Sequence, residues 1–249
     1  MVIVNKYLEQ IGKDETFLNP KLPEEFGVSL TVIPAGVELI RKHMKLGSKI
    51  LIYGDVDVDG ITGSVVMDLA FRTLGYTNYV VLTNERVFGN GLNQTAMDTI
   101  IANMPIGLLL TVDHCSASDN YIKKLREMGV DVLVTDHHHL KDNTPPKHAN
   151  VFINPQQETD VRYKCISGCA TGFALMRELI KDHPNEYMYM DMMLELVGIS
   201  TIGDMMDMSN EINRAITISG MSALNKSKLG KAFRGAMKYP NEIMSRDIS

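Results

Sequence analysis

The stretch KILIYGDVDVDG, residues 49–60, joins a short apolar run to three aspartates spaced two residues apart. Residues 49–53 are predicted to form a strand that is buried on both faces, because the four residues after Lys49 are apolar and Ile50 and Ile52 are β-branched. Residues 62–74 then carry apolar side chains at helical spacing, and Gly75 follows as a typical helix stop. The stretch therefore predicts a buried strand that ends in an acidic loop and leads into a helix.

The alternation of short apolar runs and helical segments extends from about residue 35 to residue 155. Strands that are apolar throughout and separated by helices are typical of a parallel sheet covered on both faces. The other predicted strands span residues 78–83, 107–112, 131–135 and 150–153. A first helix is predicted to end at Gly47, before the strands, and two further helices are predicted at residues 93–104 and 118–128. After residue 168 only helices are predicted, at 172–181, 186–202, 211–224 and 229–239. We expect an α/β fold with about five parallel strands, helices on both faces, and an all-helical C-terminal segment.

Composition and charge exclude several classes of protein. Of the 249 residues, 45% are hydrophobic and 22% are charged, which is typical of a globular protein and argues against a disordered, collagen-like or coiled-coil chain. No apolar run reaches the ~18 residues of a membrane-spanning helix, and the first ten residues lack the pattern of a signal peptide. We therefore expect no membrane association and a cytoplasmic location, in the host cytoplasm if the protein is viral. The net charge of −5 argues against binding of nucleic acid by bulk charge, so a polyanion would have to be held by local groups or metal ions.

Acidic and imidazole side chains follow three of the predicted strands. The strand at 107–112 runs into Asp113, and the strand at 131–135 runs into Asp136, His137 and His138. Because parallel sheets bind ligands outside the carboxyl ends of their strands, we expect these groups to gather at one edge with the aspartates of the first loop. The six carboxylates in question are Asp55, Asp57, Asp59, Asp113, Asp136 and Asp204, the last of which follows an apolar helical segment.

Six converging carboxylates would repel one another unless a positive charge lay among them. Carboxylate oxygens together with imidazole nitrogen suit Mn²⁺, Mg²⁺ or Zn²⁺, and the excess of oxygen favours the harder ions. An EF-hand calcium loop is excluded, because that motif needs a Glu six residues after Gly60, and Val66 stands there. A pair of divalent ions ~3.5–4 Å apart can clamp a phosphoryl group and activate water, so the pattern indicates phosphoryl chemistry.

Four ordered motifs carry a resemblance to a known family. Asp55-x-Asp57-x-Asp59-Gly60-Ile61-Thr62, Thr111-Val112-Asp113, Thr135-Asp136-His137-His138 and Gly203-Asp204 resemble the motifs of the DHH phosphoesterases. Auxiliary segments resemble the RecJ branch of that family, the single-strand-specific 5′→3′ DNA exonucleases, and lie at residues 17–20, 86–92, 154–155, 168–173 and 213–214. The resemblance implies an N-terminal extension at residues 1–34, a catalytic domain at 35–205 and a C-terminal helical segment at 206–249. It also implies that the last segment begins the connecting helix of RecJ-like proteins and that their second domain is absent.

The resemblance implies two divalent metal ions, Mn²⁺ in the first place, with Mg²⁺ as the alternative. Asp57 and Asp113 would hold one ion. The ligands implied for the other ion are Asp59, Asp113, His137 and Asp204, so that Asp113 bridges the two. Asp55 would be an outer ligand or a support for the other ligands. Many DHH proteins have a His four residues before the first ligand Asp, and Tyr53 takes that place here, which leaves the first ion fewer protein ligands.

Catalytic and phosphate-binding residues also follow from the resemblance. The catalytic residues that it implies are Asp113, His138 and Asp136. His138 would donate a hydrogen bond to the scissile phosphate, and Asp136 would orient an imidazole rather than bind metal. Arg86 and Arg214 would grip phosphate oxygens, or would form structural ion pairs instead. The amide of Gly168, at a helix N-terminus, would hold phosphate, or the glycine would only permit tight helix packing.

Three functions remain open at the level of sequence. The first is a metal-dependent exonuclease that hydrolyses single-stranded DNA 5′→3′ by a two-metal mechanism, alone or with a partner chain that supplies the second domain. The second is the hydrolysis of short oligonucleotides or cyclic dinucleotides. The third is an inactive scaffold in a replication or repair assembly, which the clustered acids disfavour. The expected ligand is single-stranded nucleic acid, with DNA favoured.

Overall fold

The computed structural model of the chain describes residues 2–24, 26, 31–83 and 91–236. Within them, five short strands form one all-parallel sheet in the spatial order β2-β1-β3-β4-β5. The strands are β1 Ile50–Gly54, β2 Tyr79–Thr83, β3 Leu108–Val112, β4 Asp131–Thr135 and β5 Val151–Ile153. The predicted five-stranded parallel sheet is confirmed, and each predicted strand boundary lies within one residue of the observed one.

The helices of the described residues are α1 Val2–Gln10, α2 Ile33–Lys45, α3 Val58–Thr73, α4 Gln94–Ala102, α5 Asp119–Glu127, α6 Gly168–Ile180, α7 Met190–Gly203, α8 Glu211–Lys226 and α9 Lys228–Ala236. Helix α1 was not predicted from the sequence, α7 begins four residues later than predicted, and the end predicted for α9 falls outside the described residues. No helix among the described residues is long and apolar enough to cross a membrane.

Two helices begin four residues earlier than their apolar periodicity predicts, because polar side chains cap them. Asp57 accepts hydrogen bonds from the amides of Asp59 and Gly60, both at 3.0 Å, and so starts α3 inside the acidic loop. Ser167 accepts one from the amide of Ala170 at 3.1 Å and starts α6 at Gly168. Both helix N-termini therefore lie at the carboxyl edge of the sheet.

Alternate residues of the strands form two hydrophobic clusters, one on each face of the sheet. Ile52 and Leu110 pack with α2, α3 and α6 on one face, while Leu51 and Leu109 pack with α4 and α5 on the other. Helix α7 packs outside α3 and against α8. The expectation of helices on both faces and a helical C-terminal region is confirmed.

The strand order places the acidic loop beside the following strands. The chain leaves β1 for β2 on one side and returns to β3 on the other, which makes the carboxyl ends of β1 and β3 the crevice where such sheets bind ligands. Gly54 pairs in register with Val112, and Val112 pairs with Thr135. The residues that follow these three positions therefore emerge side by side.

Helices α7 and α8 cross with their backbones in contact at Gly198 and Gly220. A Cβ added to Gly220 would lie 2.5 Å from the carbonyl oxygen of Leu194 and 2.7 Å from the Cα of Gly198, and neither atom can move by side-chain rotation. We expect Gly220→Ala to lower the free energy of unfolding by about 1–3 kcal/mol. Urea denaturation measures this change, and the m value of the variant should equal that of the unsubstituted protein.

Gly235→Ala is the matched control for this crossing, because an added Cβ meets no atom within 4 Å at that position in α9. This variant should be neutral or slightly stabilising, since alanine has the higher helix propensity. Equal stability of Gly220→Ala and the unsubstituted protein would contradict the close crossing.

Candidate metal centre

The candidate site lies at the carboxyl ends of β1, β3 and β4 and at the end of α7. His137 Nε2 lies 3.2 Å from an oxygen of Asp113 and 3.5 Å from oxygens of both Asp59 and Asp204. Asp59 comes from the first turn of α3, and Asp204 caps the C-terminus of α7. Four residues from four separate chain segments therefore form this cluster around one imidazole nitrogen.

Asp113 also belongs to a second group of potential ligands. Asp55, Asp57 and Asp113 each offer one ligand atom, and these three atoms lie within 4.8 Å of one another. The same holds for two other groups, which are Asp59 with His137 and Asp204, and Asp113 with His137 and His138. Asp113 thus lies between the groups predicted to hold the two ions. The structure brings all the predicted ligands together, and their binding of metal stays a prediction.

Two buried carboxylate oxygens are suited to bind a cation. Oδ1 of Asp113 and Oδ2 of Asp204 accept no hydrogen bond from any described residue. Burial, followed by the neighbouring carboxylates of Asp59 and Asp57, raises the pKa of Asp113 to about 11. Burial and the carboxylate of Asp59 raise the pKa of Asp204 to about 6. Buried carboxylates that repel one another and lack donors are the groups that a bound cation stabilises.

Asp59, in contrast, is held by donors from helix α6. One of its oxygens accepts from the amide of Gly168 at 2.7 Å, and the other accepts from the amide of Cys169 at 2.9 Å and from the hydroxyl of Ser200. The positive end of the α6 dipole adds to this stabilisation. The first turn of α6 therefore fixes Asp59 at the centre of the site.

The amide of Gly168, predicted from the sequence to hold phosphate, is thus engaged by Asp59. The lack of a side chain is required at this position, because a Cβ on Gly168 would lie 2.6 Å from Oδ1 and 2.8 Å from Cα of Asp113. The alternative expectation, that this glycine permits a close approach of the helix, agrees with the observed contacts.

Asp136 orients the two histidines that follow it. Its Oδ1 accepts from the amide of His137 at 2.8 Å, from the amide of His138 at 3.2 Å and from Nδ1 of His138 at 2.7 Å, and its Oδ2 accepts from the amide of Ser116 at 2.8 Å. Although burial opposes ionisation, the hydrogen bonds from His138 and Ser116 hold the pKa of Asp136 well below its usual range. The same bond raises the pKa of His138 above its ordinary value, against the effect of burial.

Asn154 and Gln156 support the loop that carries the histidines. Asn154 Nδ2 donates to the carbonyl of His138 at 3.0 Å, and Gln156 Nε2 donates to the carbonyl of His137 at 3.2 Å. The Asn154-Pro155 segment resembles the RecJ branch, but its sequence predicts no role for it. The only local signal was an Asn before a Pro at a strand end, where it caps the following turn by accepting from the amide of Gln156.

The other residues that the sequence analysis singled out include two arginines and Tyr53. Arg214 donates from Nε to the carbonyl of Phe17 at 2.7 Å and lies over the ring of Phe17 at 4.2 Å, so it ties α8 to the N-terminal segment. Arg86 lies outside the described residues. Tyr53 is buried between the sheet and helices α4 and α5, and its ring contacts that of His114 at 5.3 Å.

Known proteins share both the sequence and the fold of this chain. The model of the DHH family, N-terminal domain, matches residues 49–201. The single-stranded-DNA-specific exonuclease RecJ of Escherichia coli (strain K12) is 30% identical in an alignment of 233 positions, which covers 88% of this chain and 38% of that protein. The chain thus spans about two fifths of the length of this relative.

Two crystal structures share the fold. Exonuclease RecJ bound to manganese superposes with a TM-score of 0.75 at 24% identity, over 88% of this chain and 55% of that one. RecJ in complex with Mn²⁺ from Thermus thermophilus superposes with a TM-score of 0.76 at 22% identity, over 97% of this chain and 34% of that one. Since the matched family model covers more than half of the chain and includes five of the six clustered aspartates, the chain belongs to the DHH family.

Proposed function

We propose that the chain is a metal-dependent phosphodiesterase that removes nucleotides from single-stranded DNA in the 5′→3′ direction. The observation that carries the proposal is the position of Asp113, which lies in the cluster around His137 and also in the group with Asp55 and Asp57. Its buried Oδ1 accepts no hydrogen bond from any described residue. The substrate is proposed by similarity to the E. coli relative, which is named a single-stranded-DNA-specific exonuclease. The polarity rests on the resemblance to the RecJ branch.

Two divalent ions fit the residues of the site. Asp57 and Asp113, with Asp55 beside them, would hold one ion, and the other would be held by Asp59, Asp113, His137 and Asp204. A set of many carboxylates and one imidazole suits Mn²⁺ first and Mg²⁺ second. When bound, such a pair supplies the positive charge that stabilises a phosphoryl group in displacement and activates the attacking water.

His138 is suited to contact the scissile phosphate. Its side chain is 58% exposed, while Asp136 fixes its Nδ1 at 2.7 Å. Nε2 is then the nitrogen that can donate to a phosphate oxygen, and the raised pKa favours the protonated ring. A positioned donor of this kind stabilises the charge that develops in the transition state.

The charge of the chain favours a short substrate or a second polypeptide. Tight binding of long single strands needs a basic groove and stacking aromatic side chains, whereas this chain has a net charge of −5 and 6% aromatic residues. We propose that a partner chain supplies further strand contacts. Hydrolysis of short oligonucleotides or cyclic dinucleotides by the same site is the second candidate function.

The test compares labelled substrates under defined metal conditions. Single-stranded DNA labelled at the 5′ or the 3′ end, a duplex, a pentaribonucleotide and a cyclic dinucleotide are each incubated with Mn²⁺, with Mg²⁺ and with chelator. Metal-dependent release of mononucleotides from the 5′ end of single-stranded DNA is the expected result. Turnover of only the short substrates would favour the second candidate, and metal-independent binding without hydrolysis would contradict both.

Asp136→Asn tests the role of this residue in positioning His138. The amide cannot accept all four hydrogen bonds of the carboxylate, so the imidazole loses its fixed orientation. We expect kcat to fall by about 10–100-fold, with KM little changed. The thermal unfolding midpoint should fall as well, because a buried carboxylate that donors satisfy is lost. Asp98→Asn, on the exposed surface of α4, is the control and should retain full activity. A loss in Asp136→Asn that appears only in KM would contradict the proposed positioning.

A further inference from the structure

A cavity of about 250 Å³ lies beside the candidate metal centre, between the loop that follows β3 and the loop that joins β4 to β5. We propose that this cavity binds the nucleoside part of a nucleotide whose phosphate lies at the metal centre. The inference rests on the proposed phosphodiesterase function and adds to it a subsite for one nucleoside.

The position of the cavity next to His138 is the first support. Ser116, which lines the cavity, donates from its amide to Oδ2 of Asp136 at 2.8 Å, and Oδ1 of the same carboxylate bonds Nδ1 of His138 at 2.7 Å. His139, the next residue along the chain, also lines the cavity. A single carboxylate therefore separates the cavity wall from the imidazole that is proposed to contact phosphate. A sugar and base attached to that phosphate would reach the cavity.

The lining matches the chemistry of a nucleoside. Ala117, Leu140 and the two prolines Pro145 and Pro146 give apolar walls against which a flat base can pack. Binding sites for small molecules combine such walls with a few polar groups, and typically measure about 300–1,000 Å³. A cavity slightly below this range suits one nucleoside rather than a run of nucleotides.

The charges around the cavity favour an anionic ligand. Lys141 and Lys147 line it, are exposed, and form no ion pair with the described residues. Asp119, the carboxylate of the lining, bonds through both oxygens to His148, to its amide and to its Nδ1, each at 2.9 Å. The two lysines are therefore the charged groups left to meet the phosphates that flank a bound nucleoside.

The test fills the cavity or removes its cations and follows two substrates. One variant is Ala117→Phe, and the other is Lys141→Ala combined with Lys147→Ala. Activity is measured with Mn²⁺ on a single-stranded oligonucleotide and on bis(p-nitrophenyl) phosphate, which has no nucleoside. The affinity for thymidine 5′-monophosphate is measured by calorimetry. Lys123→Ala with Lys124→Ala, which removes two exposed lysines of α5 away from this cavity, is the matched control.

We expect both variants to raise KM for the oligonucleotide and Kd for thymidine 5′-monophosphate by about tenfold, with bis(p-nitrophenyl) phosphate hydrolysed at the original rate. Retained hydrolysis of the small substrate also shows that the variants fold. Unchanged oligonucleotide kinetics and nucleotide affinity in both variants would overturn the inference and leave the proposed function intact. Equal losses on both substrates would also overturn it. An unsubstituted protein that hydrolyses neither substrate would contradict the proposed function itself.

Discussion

Asp113→Asn is expected to lower kcat/KM by about 10³-fold or more, while the metal-free variant unfolds at a temperature no lower than that of the unsubstituted protein. The loss of activity follows from the position of Asp113, which lies in both groups of potential ligands. An amide is neutral and offers one oxygen, so it cannot replace a carboxylate between two cations.

The expected stability has a separate physical reason. Asp113 is 1% exposed, and its Oδ1 accepts no hydrogen bond from the described residues. Burial, followed by the carboxylates of Asp59 and Asp57, raises its pKa, so folding without metal requires the carboxylate to take up a proton. Asparagine has nearly the same shape and is neutral at every pH, so the substitution removes from the metal-free protein the free-energy cost of protonating a buried carboxylate. Activity and stability should thus change in opposite directions, which a folding defect would not produce.

Asp98→Asn is the control for Asp113→Asn, because it makes the same chemical change at an exposed position of α4. It should leave both activity and the unfolding midpoint unchanged. Measured activity of Asp113→Asn within tenfold of the unsubstituted protein would contradict the bridging position. A sharp fall in the metal-free midpoint would contradict the proposed cost of burying this carboxylate.

The clustering of the catalytic groups could be predicted because it follows from topology. Asp55, Asp113 and Asp136 each come directly after a strand that is recognisable as a short apolar run, and parallel strands share one carboxyl edge. No strand leads into Asp204, which was included because it follows an apolar helical segment and because Gly203-Asp204 resembles a DHH motif. Asp204 reaches the site because α7 packs against α3.

The supporting contacts of the site could not be predicted, because they depend on tertiary packing. Nothing near Asp59 in the sequence indicates that the first turn of α6, more than a hundred residues later, donates two amides to it. The apolar periodicity used to predict α6 begins at Gly172 and misses the capped first turn. The sequence left the role of Arg214 open between a phosphate contact and a structural ion pair, because it shows the guanidinium but not the ring and carbonyl of Phe17 that the guanidinium meets.

Mn²⁺ is expected to raise the thermal unfolding midpoint of the protein strongly. A ligand that binds only the folded state at about 100 times its Kd adds about 2.7 kcal/mol per site. Each kcal/mol shifts the midpoint of a chain of this size by about 2–4 °C, so one ion should add about 5–10 °C. The measurement is differential scanning calorimetry with Mn²⁺ and with chelator.

Asp131 offers a matched control for the Mn²⁺-dependent rise in the midpoint, because basic side chains of the protein already bond its carboxylate. It lies at the start of β4, at the opposite end of that strand from the metal centre, and bonds Lys42 Nζ and His43 Nε2 at 2.9 Å each, as well as Arg126. Although burial opposes ionisation, these hydrogen bonds hold the pKa of Asp131 well below its usual range. Asp131→Asn should therefore lower the midpoint with chelator but retain the full increase with Mn²⁺.

Asp113→Asn should show the reverse behaviour, with an undiminished midpoint in chelator and little increase with Mn²⁺. The two aspartates differ in their surroundings. Cationic side chains bond the carboxylate of Asp131, whereas the carboxylate of Asp113 is buried near those of Asp59 and Asp57. A bound cation stabilises the ionised form of a carboxylate in the second situation. An equal Mn²⁺ effect in both variants would mean that the ion binds elsewhere, and the site proposed for catalysis would lose its physical basis.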